Sequence, residues 1–126
     1  LYTISLADDV LVVGTPEPTS LTDAYATIKV VATTQNRRTL RFVLNQARKL
    51  GEGRQVCHQL QQVVDRYVAP SLTGGFKLEF VGDIPMDPAV REAVLRRVLL
   101  LEWQPGSPAA RAVVDMATRL QALKDA

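Results

Sequence analysis

The sequence predicts an α/β domain with a parallel sheet and helices on both faces. Three short apolar runs of β type each precede a helix-length amphipathic segment, an alternation that is typical of parallel βαβ units. The chain has 126 residues, of which 47% are hydrophobic and 22% charged, and this composition suits one globular domain. Three strands make a narrow sheet, so we expect further strands on the N-terminal side.

The first unit starts with the apolar run 9–14, which predicts a strand covered on both faces. The proline-containing stretch 15–18 predicts an extended loop, because proline does not suit the interior of a helix. Ser20 is then expected to cap the first helix, with Asp23 as its acidic capping-box partner. The apolar positions of this helix recur at helical spacing: Ala24, Ile28 and Val31.

The second strand is predicted over 40–45 and leads through a glycine-containing loop into a helix over 52–69. The third strand is predicted over 78–82, followed by a loop over 84–87. Asp87 and Ser107 each precede a proline and are expected to be N-caps, since proline is favoured at the first helical position. The predicted buried faces are Val56, Leu60, Val63, Val64 and Tyr67 in the second helix, and Ala110, Val113, Val114, Ala117, Leu120 and Leu123 in the last.

Composition argues against several kinds of function. The net charge of +2, with basic residues spread along the chain, does not favour direct binding of nucleic acid. The single cysteine and single histidine, Cys57 and His58, can form neither an internal disulfide nor a zinc site, and we interpret them as a half-buried thiol beside a surface imidazole. No stretch approaches the roughly 18 apolar residues of a membrane-spanning helix.

Catalytic groups are not apparent in the sequence. It contains no phosphate-binding loop of the pattern Gly-x-x-x-x-Gly-Lys-Ser/Thr. The nearest glycine-rich helix entry, 51–54, is too short, lacks the lysine and carries Glu52, whose charge is expected to repel a phosphate. No Asp stands in a magnesium-binding context, and neither a Ser–His–Asp set nor a carboxylate pair can be argued. We therefore assign no catalytic and no metal-binding residue.

Polar and rigid residues follow the predicted strands, where parallel sheets bind their ligands. Asn45 ends the second strand, and its amide can pair with the N6 donor and the N7 acceptor of adenine. The same side chain can bond its own loop backbone instead, and spacing alone favours that role. The Ile84–Pro85 segment is equally consistent with an apolar wall for a base and with a simple loop-to-helix junction.

Four blocks carry a family resemblance: DVLVVGTPEPTSLTDAYATIKV at 9–30, RFVLNQARKLGEGRQVCHQL at 41–60, VGDIPMDPAVREAV at 81–94 and PGSPAARAVVDMATRL at 105–120. In this order they resemble the MinD/ParA-type deviant Walker ATPases, and within them the flagellar-number regulator branch (FlhG/FleN/YlxH-like). TPEPTSLTDAY is the block most specific to that branch. The resemblance implies that residues 1–126 are the C-terminal portion of a single MinD/ParA-like ATPase domain with a P-loop NTPase (SIMIBI-type) fold.

The resemblance also implies roles for individual residues. Asn45 matches the family asparagine that recognises adenine. The 84–87 segment matches the loop that closes over the base, which makes Pro85 and Asp87 further contacts. Glu17 falls where the subunits of a nucleotide-sandwiched dimer approach each other. The intact parent is expected to bind ATP or ADP with Mg²⁺, but this chain alone is not expected to bind them tightly, because the family's phosphate loop and magnesium ligands lie in its N-terminal half.

The function implied is an ATP-dependent dimerisation switch that regulates flagellar number and placement, in the cytoplasm or peripherally at the inner membrane. The expected partners of the parent are a second copy, a signal-recognition-type GTPase, flagellar switch components or a transcription regulator. One alternative is a stand-alone, non-catalytic interaction module. Another is a partitioning or cellulose-synthesis ATPase of the same family, against which the TPEPTSLTDAY block argues.

Overall fold

A parallel sheet forms the centre of the structure, a computed structural model that describes residues 9–125. Its strands β1 (Leu11–Gly14), β2 (Thr39–Ala47) and β3 (Lys77–Pro85) lie in the order β1-β2-β3, and both neighbouring pairs are parallel. The helices within these residues are α1 (Pro18–Thr34), α2 (Glu52–Tyr67), α3 (Pro88–Arg96), α4 (Leu100–Trp103) and α5 (Pro108–Asp125), and a short 3₁₀ turn, Ala69–Ser71, follows α2.

The larger core lies between one face of the sheet and helices α1 and α2. Phe42 in the middle of β2 is fully buried there, together with Ile28 of α1 and Val64 of α2. The opposite face of β2 and β3 is covered by α5, where Val43 and Val81 pack against Met116. Helices therefore cover both faces of a parallel sheet, which confirms the predicted fold class.

Helix α1 begins earlier than expected. The prediction that Ser20 and Asp23 cap this helix is wrong, because it begins at Pro18 with Glu17 in the N-cap position and without a side-chain cap hydrogen bond. The ring of Pro18 presets the backbone for the first helical position, so the second proline starts the helix instead of extending the loop. The Ser20 hydroxyl instead accepts the backbone N–H of Thr15 at 2.8 Å, which fixes the loop after β1.

The buried face of α2 is narrower than predicted. Val56, Leu60 and Val64 form the buried row, whereas Val63 and Tyr67 are 38% and 64% exposed. The buried positions are spaced four residues apart and lie on one side of the helix, so the two exposed side chains turn away from the sheet. The helix also ends at Tyr67, two residues before the predicted end.

Helix α5 differs from its predicted buried face in a similar way. Ser107 begins it as expected, since its hydroxyl accepts the backbone N–H of Ala110 at 3.2 Å. Met116 is buried against β3, although it was not among the predicted core positions. Three of the predicted core positions, Val114, Ala117 and Leu123, are exposed. The segment carries more apolar residues than one helix face can hold, and packing against β3 selects the row that contains Met116.

Cys57 and His58 are placed as the sequence suggested. The Cys57 thiol is buried and donates to the carbonyl oxygen of Leu78 at 3.7 Å, while His58 is exposed. Burial raises the pKa of the Cys57 thiol to about 11. A thiol with so high a pKa is not a nucleophile at neutral pH, so Cys57 is a packing residue.

Candidate functional site

A groove of about 460 Å³ lies beyond the carboxyl ends of β2 and β3. Asn45, Pro85 and Asp87, the residues expected to contact a base, all line it. The structure thus brings together three side chains from two separate segments of the sequence. The position agrees with the general location of ligand sites in open parallel sheets.

A β-bulge shapes the wall of the groove on the β2 side. Leu44 is paired with Asp83 and Ala47 with Pro85, so β2 has one residue more than β3 between these two pairs. The two bulged residues are Asn45 and Gln46, and Gln46 has a φ of 57°, a left-handed conformation that is uncommon for residues other than glycine. Bulges turn side chains out of their regular positions and are frequent beside active sites.

The Asn45 side chain is half-buried, and it makes the local backbone hydrogen bond that spacing alone favoured. Its Oδ1 accepts the backbone N–H of Gln46 at 2.9 Å, which fixes the orientation of the amide. Its amide NH₂ makes no hydrogen bond within residues 9–125. A carbonyl oxygen has two lone pairs, so Asn45 can still accept one further hydrogen bond while it donates from the NH₂ group. That pairing capacity is what the N6 and N7 edge of adenine requires.

Pro85 provides the opposite, apolar wall. Pro85 was expected in a loop, but it is the last residue of β3, because this strand continues three residues beyond its predicted carboxyl end. The backbone N–H of Met86 donates to the carbonyl oxygen of Ala47 at 2.9 Å. This hydrogen bond extends the ladder past Pro85 and holds the two walls of the groove together.

Asp87 is the N-cap of α3, as the sequence indicates, and it also caps a second helix. Its Oδ1 accepts the backbone N–H of Ala89 at 3.0 Å, and its Oδ2 accepts that of Ala109, in the first turn of α5, at 2.9 Å. The backbone N–H groups of Ala109 and Ala89, in that order, hold the pKa of the Asp87 carboxyl below its ordinary value, and the Ser107 hydroxyl contributes in the same direction. Both carboxylate oxygens are therefore already engaged.

The loop between β2 and α2 is held by Glu52. This buried carboxylate accepts the backbone N–H of Arg48 at 2.7 Å and forms an ion pair with the Arg48 guanidinium at 3.1 Å. The backbone hydrogen bond from Arg48 is the main reason why the pKa of Glu52 lies below its ordinary value. The expected repulsion of a phosphate by Glu52 is thus reduced, because Arg48 compensates its charge.

Asp83 of β3 lies against the first turn of α2, beside Gly53. Its Oδ1 is buried and has no well-formed hydrogen bond within residues 9–125. Burial raises the pKa of the Asp83 carboxyl, and the negative charge of Glu52 adds to that rise. The backbone N–H of Gly53 and the Arg54 guanidinium act in the opposite direction.

Asp83→Asn is expected to gain stability relative to the parent sequence as the pH rises. Because the pKa of Asp83 in the folded chain lies above its ordinary value of 3.8, the folded chain binds this proton more tightly than the unfolded chain does. The corresponding stabilisation is present below the unfolded pKa and is lost as the pH rises through the folded pKa, whereas asparagine stays neutral. Urea unfolding of both chains at about pH 4 and about pH 7.5 measures this difference.

Asp87 and Glu52 are present in both chains. Their contributions to the pH dependence of stability therefore cancel when the two chains are compared at each pH. Asp65→Asn, which removes an exposed carboxylate of α2 outside this site, is the matched control. If the Asp83→Asn variant and the parent sequence differed equally at both pH values, Asp83 would not have a raised pKa.

Glu17 lines a different groove from Asn45. It is an exposed residue that lines a groove of about 610 Å³ beside β1. Leu11 and Val13 of β1 line the same groove and are 42% and 55% exposed, and β1 is an edge strand of the sheet that the described residues form. A role of Glu17 in an interface remains a prediction.

In residues 9–125 no group of three or more His, Cys, Asp or Glu side chains is arranged to hold a metal ion. In the same residues no helix is both long enough and apolar enough to cross a membrane.

Other groove residues were not singled out from the sequence. Gln46, Met86, Val90 and Arg91 also line the groove. Val90 and Arg91 follow Asp87 at the spacing of one helical turn, so the predicted cap could have indicated them. No sequence signal marks Gln46, because glutamine is not a residue typical of the left-handed conformation.

Known proteins resemble this chain over nearly its whole length. The antiactivator FleN of Pseudomonas aeruginosa is 35% identical over 117 residues, which are 93% of this chain and 40% of FleN. The flagellum site-determining protein YlxH of Helicobacter pylori is 26% identical over 114 residues, which are 90% of this chain and 36% of YlxH. The chain belongs to the FleN/YlxH family.

An uncharacterized ATP-binding protein of Methanocaldococcus jannaschii is also similar to this chain, with 29% identity over an alignment of 126 positions that covers 95% of the chain and 40% of that protein. No protein-family model matches the chain. The chain spans about two fifths of the length of the curated relatives it matches. These similarities confirm the family that the four sequence blocks suggested.

Proposed function

We propose that this FleN/YlxH-type chain forms the adenine-binding side of an ATP-dependent dimerisation switch that regulates flagellar number and placement. The bulge that presents Asn45 opposite Pro85 is the observation that carries the adenine-binding role. The flagellar role is supported by the name of YlxH, a flagellum site-determining protein, and nucleotide binding by the name of the archaeal relative.

The groove has the chemistry that a purine base needs. Pro85, Met86 and Val90 supply apolar surface, while Asn45 supplies a donor and an acceptor in one plane. A mostly apolar pocket with a few oriented polar groups is the usual form of a small-molecule site. In this proposal the chain holds the base of ATP or ADP. Mg²⁺ and the phosphate groups are held by another part of the longer parent, where the ion would stabilise charge on the phosphates.

The second part of the proposal concerns assembly. Glu17 and the exposed edge of β1 are proposed to lie near the interface between two copies of the parent. From the family resemblance we propose a signal-recognition-type GTPase, flagellar switch components or a transcription regulator as further partners. The proposed location is the cytoplasm, with peripheral attachment at the inner membrane.

Asn45→Ala is expected to weaken the binding of adenosine by about tenfold, the loss that follows when a base no longer meets its hydrogen-bonding partner. Adenosine is the probe because it contains the base without phosphates. In a ¹⁵N NMR titration of the 126-residue chain, adenosine should shift the backbone amides of Gln46, Met86 and Val90, which line the groove. The shifts as a function of concentration give the dissociation constant.

Asn36→Gly is the control, since Asn36 is an exposed asparagine outside the groove and glycine suits its positive φ of 55°. Guanosine should bind more weakly than adenosine, because it presents an O6 acceptor where adenine has an N6 donor. Equal binding of the two nucleosides, or full affinity in Asn45→Ala, would rule out the adenine-binding role. A folded chain that binds no nucleoside would favour the stand-alone interaction module.

The dimerisation part requires the longer parent protein. Its sedimentation should shift from monomer to dimer on addition of ATP and Mg²⁺, and ADP should reverse the shift. A parent that sediments identically with ATP, with ADP and without nucleotide would contradict the switch, whatever the outcome of the adenosine titration.

A further inference from the structure

We infer that Asp87 is a positioning residue, which holds the Pro85 wall of the base groove by capping α3 and α5 at once, and that it does not contact the bound nucleotide. This inference rests on the proposed base site. It replaces the direct contact that the family resemblance implied for Asp87 with an indirect role.

The geometry of the carboxylate supports this role. Its two oxygens accept backbone N–H groups from two different helices, Ala89 of α3 at 3.0 Å and Ala109 of α5 at 2.9 Å. The second donor is 22 residues away in the sequence, so this hydrogen bond is a tertiary link and not an ordinary local cap. The first turns of both helices have N–H groups without partners inside the helix, and one side chain satisfies a donor in each.

The position of the link explains what it controls. Asp87 follows Pro85 by two residues, and Met86 between them is bonded through its N–H to Ala47 beside the bulge. Helix α5, on the other side of the link, is anchored to the sheet through Met116 and through the Arg119 guanidinium, which donates to the carbonyl oxygen of Val81. The Pro85 wall is thus held at one end by β2 and at the other end by α5, which packs on the sheet face opposite α1 and α2.

A direct contact with the ligand would require Asp87 to accept a further hydrogen bond from the base or the ribose. Both oxygens of Asp87 already have a donor at hydrogen-bonding distance, and these hydrogen bonds favour the ionised form of the group, whose pKa is lowered. A carboxylate can accept about four hydrogen bonds, and the Ala89 and Ala109 N–H groups together with the Ser107 hydroxyl already use most of this capacity. Little of it remains for the base or the ribose, which supports the positioning role.

The test compares Asp87→Asn and Asp87→Ser in the 126-residue chain. Asparagine keeps one acceptor oxygen and places an NH₂ group opposite the other backbone donor, while serine keeps a single shorter acceptor. Without any ligand, both variants should shift the NMR signals of the Ala109, Met86 and Ala47 amides. In titrations with adenosine, both variants should bind about fivefold more weakly than the parent sequence, because the arrangement that binds the base is less populated once one cap is lost.

Nucleoside analogues separate positioning from contact. Purine riboside lacks the N6 amino group and 2′-deoxyadenosine lacks one ribose hydroxyl, so each removes a possible partner of a carboxylate. If Asp87 only positions the wall, both variants weaken adenosine and the two analogues by the same factor. If the variants weaken adenosine but leave the binding of one analogue unchanged, Asp87 contacts the group missing from that analogue and the inference is wrong.

Controls keep this result separate from the proposed function. Asp65→Asn, an exposed carboxylate on α2, should change neither the groove amides nor adenosine binding. If the parent sequence binds no adenosine, the proposed function fails, but the ligand-free shifts at Met86 and Ala47 still test the link. Unchanged signals of these two amides in both Asp87 variants would overturn the inference even if adenosine bound normally.

Discussion

Phe42→Ala is expected to lower the free energy of unfolding by about 3 to 5 kcal/mol, the usual range when a buried phenylalanine is truncated. Phe42 lies in the central strand and is 0% exposed. Its ring lies beneath the end of β1, where a Cβ at Gly14 would be only 3.1 Å from the Cε1 atom of Phe42. Neighbouring atoms already pack tightly, so the surroundings cannot collapse fully into the space that the ring leaves.

The loss is large compared with the stability of a typical domain, about 5 to 15 kcal/mol. Urea unfolding followed by circular dichroism measures it. Leu50→Ala is the control, because Leu50 is fully exposed in the loop after β2 and its truncation should change stability by no more than about 0.5 kcal/mol. Equal stabilities of the two variants would show that Phe42 does not lie in a closed core.

The parts of the fold that depend on local pattern were predictable. The run 40–45 predicts a strand, and its apolar residues are buried in β2. The run 9–14 was expected to be covered on both faces, which is wrong, because Leu11 and Val13 of β1 are exposed. Asp87–Pro88 and Ser107–Pro108 mark the beginnings of α3 and α5, because the capping side chain and the proline act within a few residues of each other.

The parts that depend on packing were not predictable. Helix α5 contains apolar residues on more than one side, and only contact with Val81 and Val43 decides that Met116 faces the sheet while Val114 faces away. The same holds for Tyr67 of α2, which continues a plausible apolar stripe but is exposed. Periodicity defines a set of possible faces, and the neighbouring element selects one of them.

The candidate site likewise has parts that local pattern predicts and parts that depend on packing. Asn45 and Pro85 could be placed in it because the ends of parallel strands meet at one edge of a sheet. The bulge at Gln46 could not be predicted, since it depends on the register between β2 and β3 and no glycine marks it. The second acceptor role of Asp87 depends on Ala109, which becomes its neighbour only after the last helix has packed.

Gly53→Ala is expected to destabilise the chain by about 2 kcal/mol, although alanine favours helix more than glycine does by about 1 kcal/mol. Gly53 is in the first turn of α2, directly against β3. A Cβ at this position would overlap the Oδ1 of Asp83 and would lie 2.7 Å from the Cε1 atom of Phe80. The Phe80 ring is half-buried and contacts the Arg54 guanidinium, which lies 5.1 Å from the ring centroid, so a shift of the ring would disturb that contact as well.

The clash should therefore outweigh the gain in helix propensity and push the first turn of α2 away from β3. Gly106→Ala is the matched control, because no atom lies within 4 Å of the position its Cβ would occupy and its φ is not in the left-handed range. Asp83→Ala combined with Gly53→Ala should recover part of the loss in urea unfolding, since it removes one of the two obstacles. If Gly53→Ala were as stable as Gly106→Ala, α2 would not approach β3 so closely, and the loop from β2 to α2 would not be held against the groove as described.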